Sequence, residues 1–318
     1  RPTQLADSEV LLRIRACAVG WVDLLMMSGQ YQHMAAPPYT PGLEFAGEVE
    51  AIGSSVTSCQ VGDAIMVDPF MAGPRTSGRY SAAGGFATWA VIPEAAALPK
   101  PAGLDFAQAC NLLGSYETAY HCLVARGRLQ EGENVLVHGA SGATGLAAVH
   151  IAKAIGATVI ATGRSDAKLE TVATQGADHV INTRADEGQS GCRRFRDDVK
   201  ALTGGKGVDM VYDGVGGGIS LESLRCVRFG ARYLIVGWAA TPFVAKGKGA
   251  RGAPNANQLP TNLIMMKGLD VLGCPTVIAT QNDPTIRKER LEAIHAWLAK
   301  GDIRPHVCQR FPLEDFAS

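Results

Sequence analysis

The chain has 318 residues, 47% of them hydrophobic and 19% charged, with 37 glycines, a composition that excludes a disordered or fibrous protein. Thirty basic residues balance thirty acidic ones, so no basic excess marks a nucleic-acid or anionic-membrane surface and a small-molecule substrate is expected. No apolar stretch is free of charge long enough to span a bilayer, since the most apolar region, 135–163, is broken by His138, His150, Lys153 and glycines. In chain order, 10–15 reads as a strand, followed by strands at 45–52, 64–67 and 86–92, with Gly/Pro/Asp turns between them. The small, glycine-rich segment 71–85 reads as a mobile loop, and the whole first third suits a compact barrel-like lobe. From about residue 112 short apolar strands alternate with helix-length segments. Strands are expected at 134–138, 158–162, 179–181, 208–212 and 233–236. A helix is expected at 146–155, where apolar residues fall at 146, 149, 152 and 155, and another at 286–300, with a Gly/Asn/Pro-rich loop at 246–260. Strand–helix–strand alternation predicts a doubly wound parallel sheet, so the class is α/β.

The densest signal is the run 134–153. An apolar strand ends at Gly139, a tight turn follows, and Gly145 opens an amphipathic helix. The glycines are spaced G-x-x-G-x-x-G. Lacking Cβ atoms, they let the backbone approach a dinucleotide pyrophosphate, while free N–H groups at the helix start donate to its oxygens. A serine-hydrolase elbow around Ser141 is excluded because G-x-S-x-G fails at Ala143. The next strand ends at Thr162-Gly163-Arg164-Ser165. An NAD site would place a carboxylate at this tip; here Arg164, Ser165 and Lys168 follow instead, suited to the 2′-phosphate of NADP. Asp166, past the tip, reads as a helix N-terminal residue.

Eight cysteines, at 17, 59, 110, 122, 192, 226, 274 and 308, form no C-x-x-C pair and no Cys/His cluster. They read as buried thiols in a reducing compartment, so a cytoplasmic protein is expected. No signal peptide is recognisable, and the chain opens at Arg1-Pro2 without an initiator Met, so a native start is expected to be missing.

Several stretches together resemble the medium-chain dehydrogenase/reductase superfamily, in its zinc-independent quinone oxidoreductase branch. They are SGQY at 28–31, PYTPGLEFAG at 38–47, VGD at 61–63, GGFA at 84–87, EGENVLVH at 131–138 and GVDMVYDGVG at 207–216, in family order over nearly the whole chain. The resemblance implies a GroES-like β-barrel substrate domain at 1–111, a Rossmann domain at 112–275, and a return to the substrate domain at 276–318. It also implies a family first strand lying before Arg1 and a last element cut short after Ser318. The family's catalytic zinc needs a Cys three residues before the Asp that is here Asp23, and a His before Glu44; this chain has Gly20 and Leu43, so no metal is expected. Many relatives in the branch carry Asn at the position of Gly20, a departure that bears on quinone specificity.

By the resemblance, Ser141, Gly142, Ala143 and Thr144 line the pyrophosphate of NADPH. Gly163, Arg164 and Lys168 hold the adenosine phosphate, and Asn182 lies near the adenine ribose. The stretches 213–216 and 236–239, among them Gly214, Val215, Val236, Gly237 and Trp238, close over the nicotinamide, with backbone groups there binding the carboxamide; Thr118 touches the nicotinamide, and Asn262 is a weaker cofactor candidate. For the substrate oxygen Tyr31 is the first choice and Tyr39 the second, since a phenol can donate to developing enolate charge. A packed loop aromatic is an equal reading of Tyr31. Trp21 is a candidate pocket wall, Tyr120 and His121 read as core, and His33 as an exposed loop histidine. The expected function is NADPH-dependent hydride transfer to a quinone or α,β-unsaturated carbonyl, in a homodimer, with no nucleic acid or membrane partner. Two alternatives stand beside it: an enoyl-thioester reductase domain of a longer chain, and a low-turnover NADPH-binding structural or regulatory protein.

Overall fold

A computed structural model describes residues 2, 4–188, 191–241, 244 and 255–315 of the protein. Of the loop expected at 246–260, the part 246–254 therefore lies outside the described residues. The described chain forms two compact units, one of residues up to 114 together with those from 305 onward, the other of residues 115–304.

The first unit contains β1 (Glu9–Cys17), α1 (Trp21–Met27), β2 (Phe45–Ile52), β3 (Ala64–Val67), β4 (Trp89–Pro93), β5 (Ala97–Pro99) and α2 (Phe106–Ala109). Its strands form one antiparallel sheet in the order β4-β1-β2-β3-β5. Apolar side chains of several strands, among them Val10, Leu12, Phe45, Val49, Ile65 and Ile92, meet in a single buried cluster. The strand expected at 86–92 begins only at Trp89. The segment 71–85 differs from expectation: Ala72, Gly73 and Pro74 are buried, and Arg79–Ala82 forms a 3-10 turn. The reason is Glu9, a fully buried carboxylate that must be satisfied. Tyr80 Oη donates to it at 3.1 Å, Arg79 at 3.1 Å and the Ala6 amide at 2.8 Å, so this segment is packed as a lid over β1.

The boundary between the units falls in the first turn of α3 (Leu113–Tyr120), which runs into a π-helical segment, His121–Arg126, of the second unit. There follow β6 (Asn134–Val137), α4 (Ala143–Ile155), β7 (Thr158–Gly163), α5 (Asp166–Thr174), β8 (His179–Asn182), α6 (Arg196–Leu202) and β9 (Val208–Asp213). The unit ends with α7 (Gly218–Cys226), β10 (Val227–Ile235), α8 (Thr261–Lys267), β11 (Asp270–Gly273), α9 (Thr276–Asn282) and α10 (Ile286–Lys300). All its strand pairs are parallel, in the order β11-β10-β9-β6-β7-β8. The chain winds outward from β6 through β7 to β8, then returns to the other side of β6 with β9. The order reverses between β6 and β9, and a doubly wound sheet binds its ligand outside the carboxyl ends of such a strand pair. Helix α4 packs on β6 and β7, α5 on β7 and β8, α7 on β9 and α8 on β10. The near-continuous apolar strands follow from burial on both faces: Val135, Leu136, Val137, Val159 and Ile160 are all fully buried.

Not every cysteine is buried: Cys17, Cys59 and Cys192 are half-buried and Cys308 is exposed.

Candidate functional site

At the carboxyl end of β6 the chain turns through Gly139, whose φ of +63° lies in the left-handed region that glycine tolerates. The Gly142 amide donates back to the Gly139 carbonyl at 2.9 Å, and the Ala140 amide ties the turn to Thr162 of β7 at 3.2 Å. Gly142 caps α4 in extended conformation, and the Leu146 amide donates to the Gly142 carbonyl at 2.8 Å. The amides of Ala143, Thr144 and Gly145 belong to the helix's first turn, whose N–H groups lack intrahelical acceptors. Ser141, Gly142 and Ala143 are exposed and Thr144 half-buried. A Cβ on Gly145 would sit 2.3 Å from the Gly139 carbonyl oxygen and 2.8 Å from Ala140 Cα. Close helix–turn packing thus requires glycine there, and the four pyrophosphate candidates form an open cradle at the reversal point of the sheet.

His138, just before the turn, is buried and bridges two strands and a helix. Its Nδ1 lies 2.8 Å from Thr162 Oγ1 and its Nε2 2.6 Å from Ser223 Oγ. Ser223 donates its proton to the Ile219 carbonyl, so Nε2 donates to Ser223 and Nδ1 accepts from Thr162. Burial holds this imidazole below the usual histidine range, against the opposing charge of Asp213.

Beside the turn, the tips of β7 and β8 present the cationic candidates. Arg164 and Lys168 are exposed, and Gly163 is half-buried against Leu169. Asp166 begins α5, as expected. Its carboxylate accepts from Asn182 Nδ2 at 2.7 Å, so Asn182 is engaged in orienting Asp166. The sequence reading missed Arg184. Its Nε donates to the Arg164 carbonyl at 2.8 Å, and its amide to Asn182 Oδ1 at 2.9 Å, which adds a third cationic residue, the second guanidinium, at the β7 tip. Its place three residues past a predicted strand end was the available signal.

On the other side of the reversal point, β9 ends at Asp213 and opens the loop carrying Gly214 and Val215. Their partners Val236, Gly237 and Trp238 follow β10. The amides of Val236 and Gly237 donate to the Asp213 carbonyl at 2.9 and 3.2 Å, and those of Ala239 and Ala240 to the carbonyls of Gly214 and Val215. A Cβ on Gly139 would lie 3.1 Å from Val215 Cγ2, and one on Gly216 3.3 Å from Trp238 Cα. The glycine turn expected to hold the pyrophosphate and both loops expected over the nicotinamide therefore meet in one place. Thr118 is half-buried on α3, and Asn262 is exposed in the first turn of α8. The sequence places Asp213 in this loop for its backbone alone; the part its side chain plays was not read, although an aspartate heading a glycine-rich turn was the signal.

In the first unit Asp23 of α1 is buried. It accepts from the amides of Gly42 and Leu43 at 3.2 and 3.0 Å, and of Gly20 at 3.0 Å. Burial raises its carboxyl above the usual range, against those bonds and the nearby Arg75. Tyr39 is half-buried, and burial together with Asp23 raises its phenol, which keeps it a proton donor at neutral pH. Tyr31 packs edge-on against His33 with ring centroids 6.2 Å apart, so neither ring stands alone. Trp21 is exposed at 57%. Tyr120 and His121 are buried in the second unit.

A zinc ion does not fit the residues at the family's metal position. Gly20 and Leu43 offer no ligand, Asp23 is taken up by three amides, and Glu44 accepts from the Gly114 amide at 2.6 Å.

Residues 6–102 match the alcohol dehydrogenase GroES-like domain, and residues 143–283 match the family described as zinc-binding dehydrogenase. The chain is 30% identical to a quinone oxidoreductase-like protein 2 homolog of Nematostella vectensis over 312 residues, which is 98% of this chain and 77% of that one. It is 29% identical to a quinone oxidoreductase of Homo sapiens over 311 residues, 98% of this chain and 84% of that one. A mycobacterial protein solved in complex with NADPH superposes with a TM-score of 0.76 at 25% identity, covering 99% of this chain and 88% of its own.

Proposed function

We propose a function from one premise: the chain belongs to the medium-chain dehydrogenase/reductase superfamily, in its quinone oxidoreductase-like branch, and is an oxidoreductase of that kind. Its cofactor is NADPH, its acceptor a quinone or α,β-unsaturated carbonyl, and its chemistry does not use zinc. The observation that carries the reading is the cationic group at the β7 and β8 tips. Arg164, Lys168 and Arg184 gather there, while the carboxylate of Asp166 beside them accepts from Asn182. The NADPH bound to a structural relative supports the same choice. Reduced nicotinamide supplies the hydride. The protein's share is to bind the pyrophosphate on the α4 N-terminus, to fix the ring through the 214–217 and 236–239 loops, and to donate a hydrogen bond to the acceptor oxygen from a phenol. Tyr39, held protonated by burial and Asp23, suits that last role; Tyr31 is the second candidate.

The quinone acceptor is proposed from the activity named for the human relative. A homodimer and a cytoplasmic location belong to the same reading. Among the described residues no helix is long and apolar enough to cross a membrane. Among the described residues β11 ends the sheet, and Phe229 of β10 and Met265 and Met266 of α8 are exposed in the same unit, which supports self-association through the second unit.

The test is NADPH and NADH oxidation, followed at the nicotinamide absorbance, against a 1,4-quinone, a small enone and an enoyl thioester. NADPH turnover with the first two is expected. Turnover of the thioester alone would replace the quinone and enone acceptors by an acyl thioester, and a preference for NADH would overturn the cofactor. Arg164→Ala should raise KM for NADPH by about tenfold or more, the worth of one charge-assisted contact, and leave KM for NADH unchanged.

A further inference from the structure

The Asp213 carboxylate is buried, with 2% of its surface exposed, and each oxygen takes two donors. Oδ1 accepts from the amides of Val215 and Gly216, both at 2.9 Å. Oδ2 accepts from Ser220 Oγ and Tyr233 Oη, both at 2.5 Å. The main-chain carbonyl of the same residue accepts from Val236 and Gly237. One residue therefore anchors the loop after β9 through its side chain and the loop after β10 through its backbone. Ser220 accepts in turn from Asn257 Nδ2 at 2.7 Å, and Thr241 Oγ1 donates to the Ala256 carbonyl at 2.7 Å, so the stretch around 256–257 is tied to the same point.

This exceeds what a fold needs at a strand end. A buried carboxylate costs several kcal/mol to desolvate, by order of magnitude, unless donors surround it. Any apolar residue could end β9, and glycines alone could make the turn. The carboxylate adds a fixed position for the Val215 and Gly216 amides. Those amides head a loop whose neighbour across the reversal point is the phosphate turn, with Val215 Cγ2 3.1 Å from the place of a Gly139 Cβ. The donors on Oδ2 come from α7 and β10, both packed elements, so the anchor is rigid on its far side.

We propose that Asp213 is the positioning residue of the nicotinamide half of the site: it sets the 214–217 and 236–239 loops where the ring is bound, and takes no part in holding the adenosine half. The proposal rests on the NADPH reading given above. Asp213 touches no reacting atom; it acts through the loops. Its loss should therefore be felt by ligands that carry the nicotinamide and ignored by ligands that end at the adenosine phosphates.

The experiment is equilibrium binding to the full chain by titration calorimetry, with NADPH and 2′,5′-ADP as the two probes. In Asp213→Asn the amide oxygen can still receive Val215 and Gly216, while the new NH2 faces the Ser220 and Tyr233 hydroxyls. NADPH affinity is expected to fall about tenfold, with 2′,5′-ADP within about twofold of wild type. Tyr233→Phe and Ser220→Ala each remove one donor and keep the charge. They should show the same split at about two- to fivefold, and they decide the matter if Asp213→Asn does not fold. Equal weakening of both probes, or no change in NADPH affinity in any variant, overturns the inference while leaving the cofactor reading intact. A wild-type chain that binds neither probe overturns the cofactor reading, and this inference with it.

Discussion

Gly145 is the residue with the least room to change. The carbon that alanine would add meets the Gly139 carbonyl oxygen at 2.3 Å, backbone against backbone, so no rotamer relieves it. Gly145→Ala is expected to cost about 3 kcal/mol, the upper end of overpacking penalties, and to abolish 2′,5′-ADP binding because the turn must shift. Urea denaturation and the same titration check both halves. This residue was legible in the sequence because its reason is local: strand, three glycines and amphipathic helix all lie within twenty residues. Arg164 and Lys168 were legible for the same reason. Asp213 was legible only as the head of a glycine-rich turn. Two of its partners, Ser220 and Tyr233, stand seven and twenty residues on and carry no mark of their role until the fold brings α7 and β10 to the end of β9. Glu9 shows the same limit. Its charge in a strand gave no sign that Arg79 and Tyr80 would close over it, and so a packed segment reads from sequence as a mobile loop.

At the level of elements, α3 and α10 are joined by charge inside the second unit. Glu117 accepts from Arg287 Nε at 2.9 Å and from Arg290 Nη1 at 3.2 Å, and Arg290 is 1% exposed. Glu117→Ala leaves a buried guanidinium without its carboxylate. The expected loss is about 3–5 kcal/mol, read from the shift in denaturation midpoint, whereas replacing both charges by apolar residues should cost far less. The π-helical segment that continues α3 carries His121, which burial, reinforced by Arg290 and Arg126, pushes down to about 4. Its folded value lies below the ordinary 6.5, so between the two the unfolded chain binds more protons. The stability His121 contributes is present above pH 6.5 and is lost as pH falls toward 4, by up to about 2 kcal/mol between pH 7 and pH 5. His138 is shifted the same way and adds to the slope. Denaturation at the two pH values, in wild type and in His121→Leu, measures the His121 share; an equal slope in both would refute it. Strand types and their order along the chain were readable from apolar periodicity. The short helix α1 and the edge strand β11 were not, because neither has the length or patterning to stand above its surroundings.

As a whole molecule, the chain divides so that the second unit's described residues fall between 115 and 304, with their own sheet and core. A fragment of residues 115–304 is expected to fold and to bind 2′,5′-ADP within about threefold of the full chain, since the Gly139 turn, Arg164, Lys168 and Arg184 all lie inside it. Circular dichroism and titration of the fragment decide this. The α/β class followed from the change in rhythm near residue 112, a signal spread over many residues and so robust to local error; the return to the first unit was expected from 276, whereas the second unit runs to 304.

The position of β6 has one more consequence. It is paired on both sides, to β9 and to β7, and Val135, Leu136 and Val137 are wholly enclosed. Amide deuteration should reach these three last, after the terminal strands β8 and β11 have exchanged, because opening β6 requires opening the sheet. The glycine turn is the direct continuation of that strand. A thermal fluctuation that peels away an outer strand therefore leaves the glycine turn, the proposed phosphate cradle, hinged to the slowest-opening part of the protein.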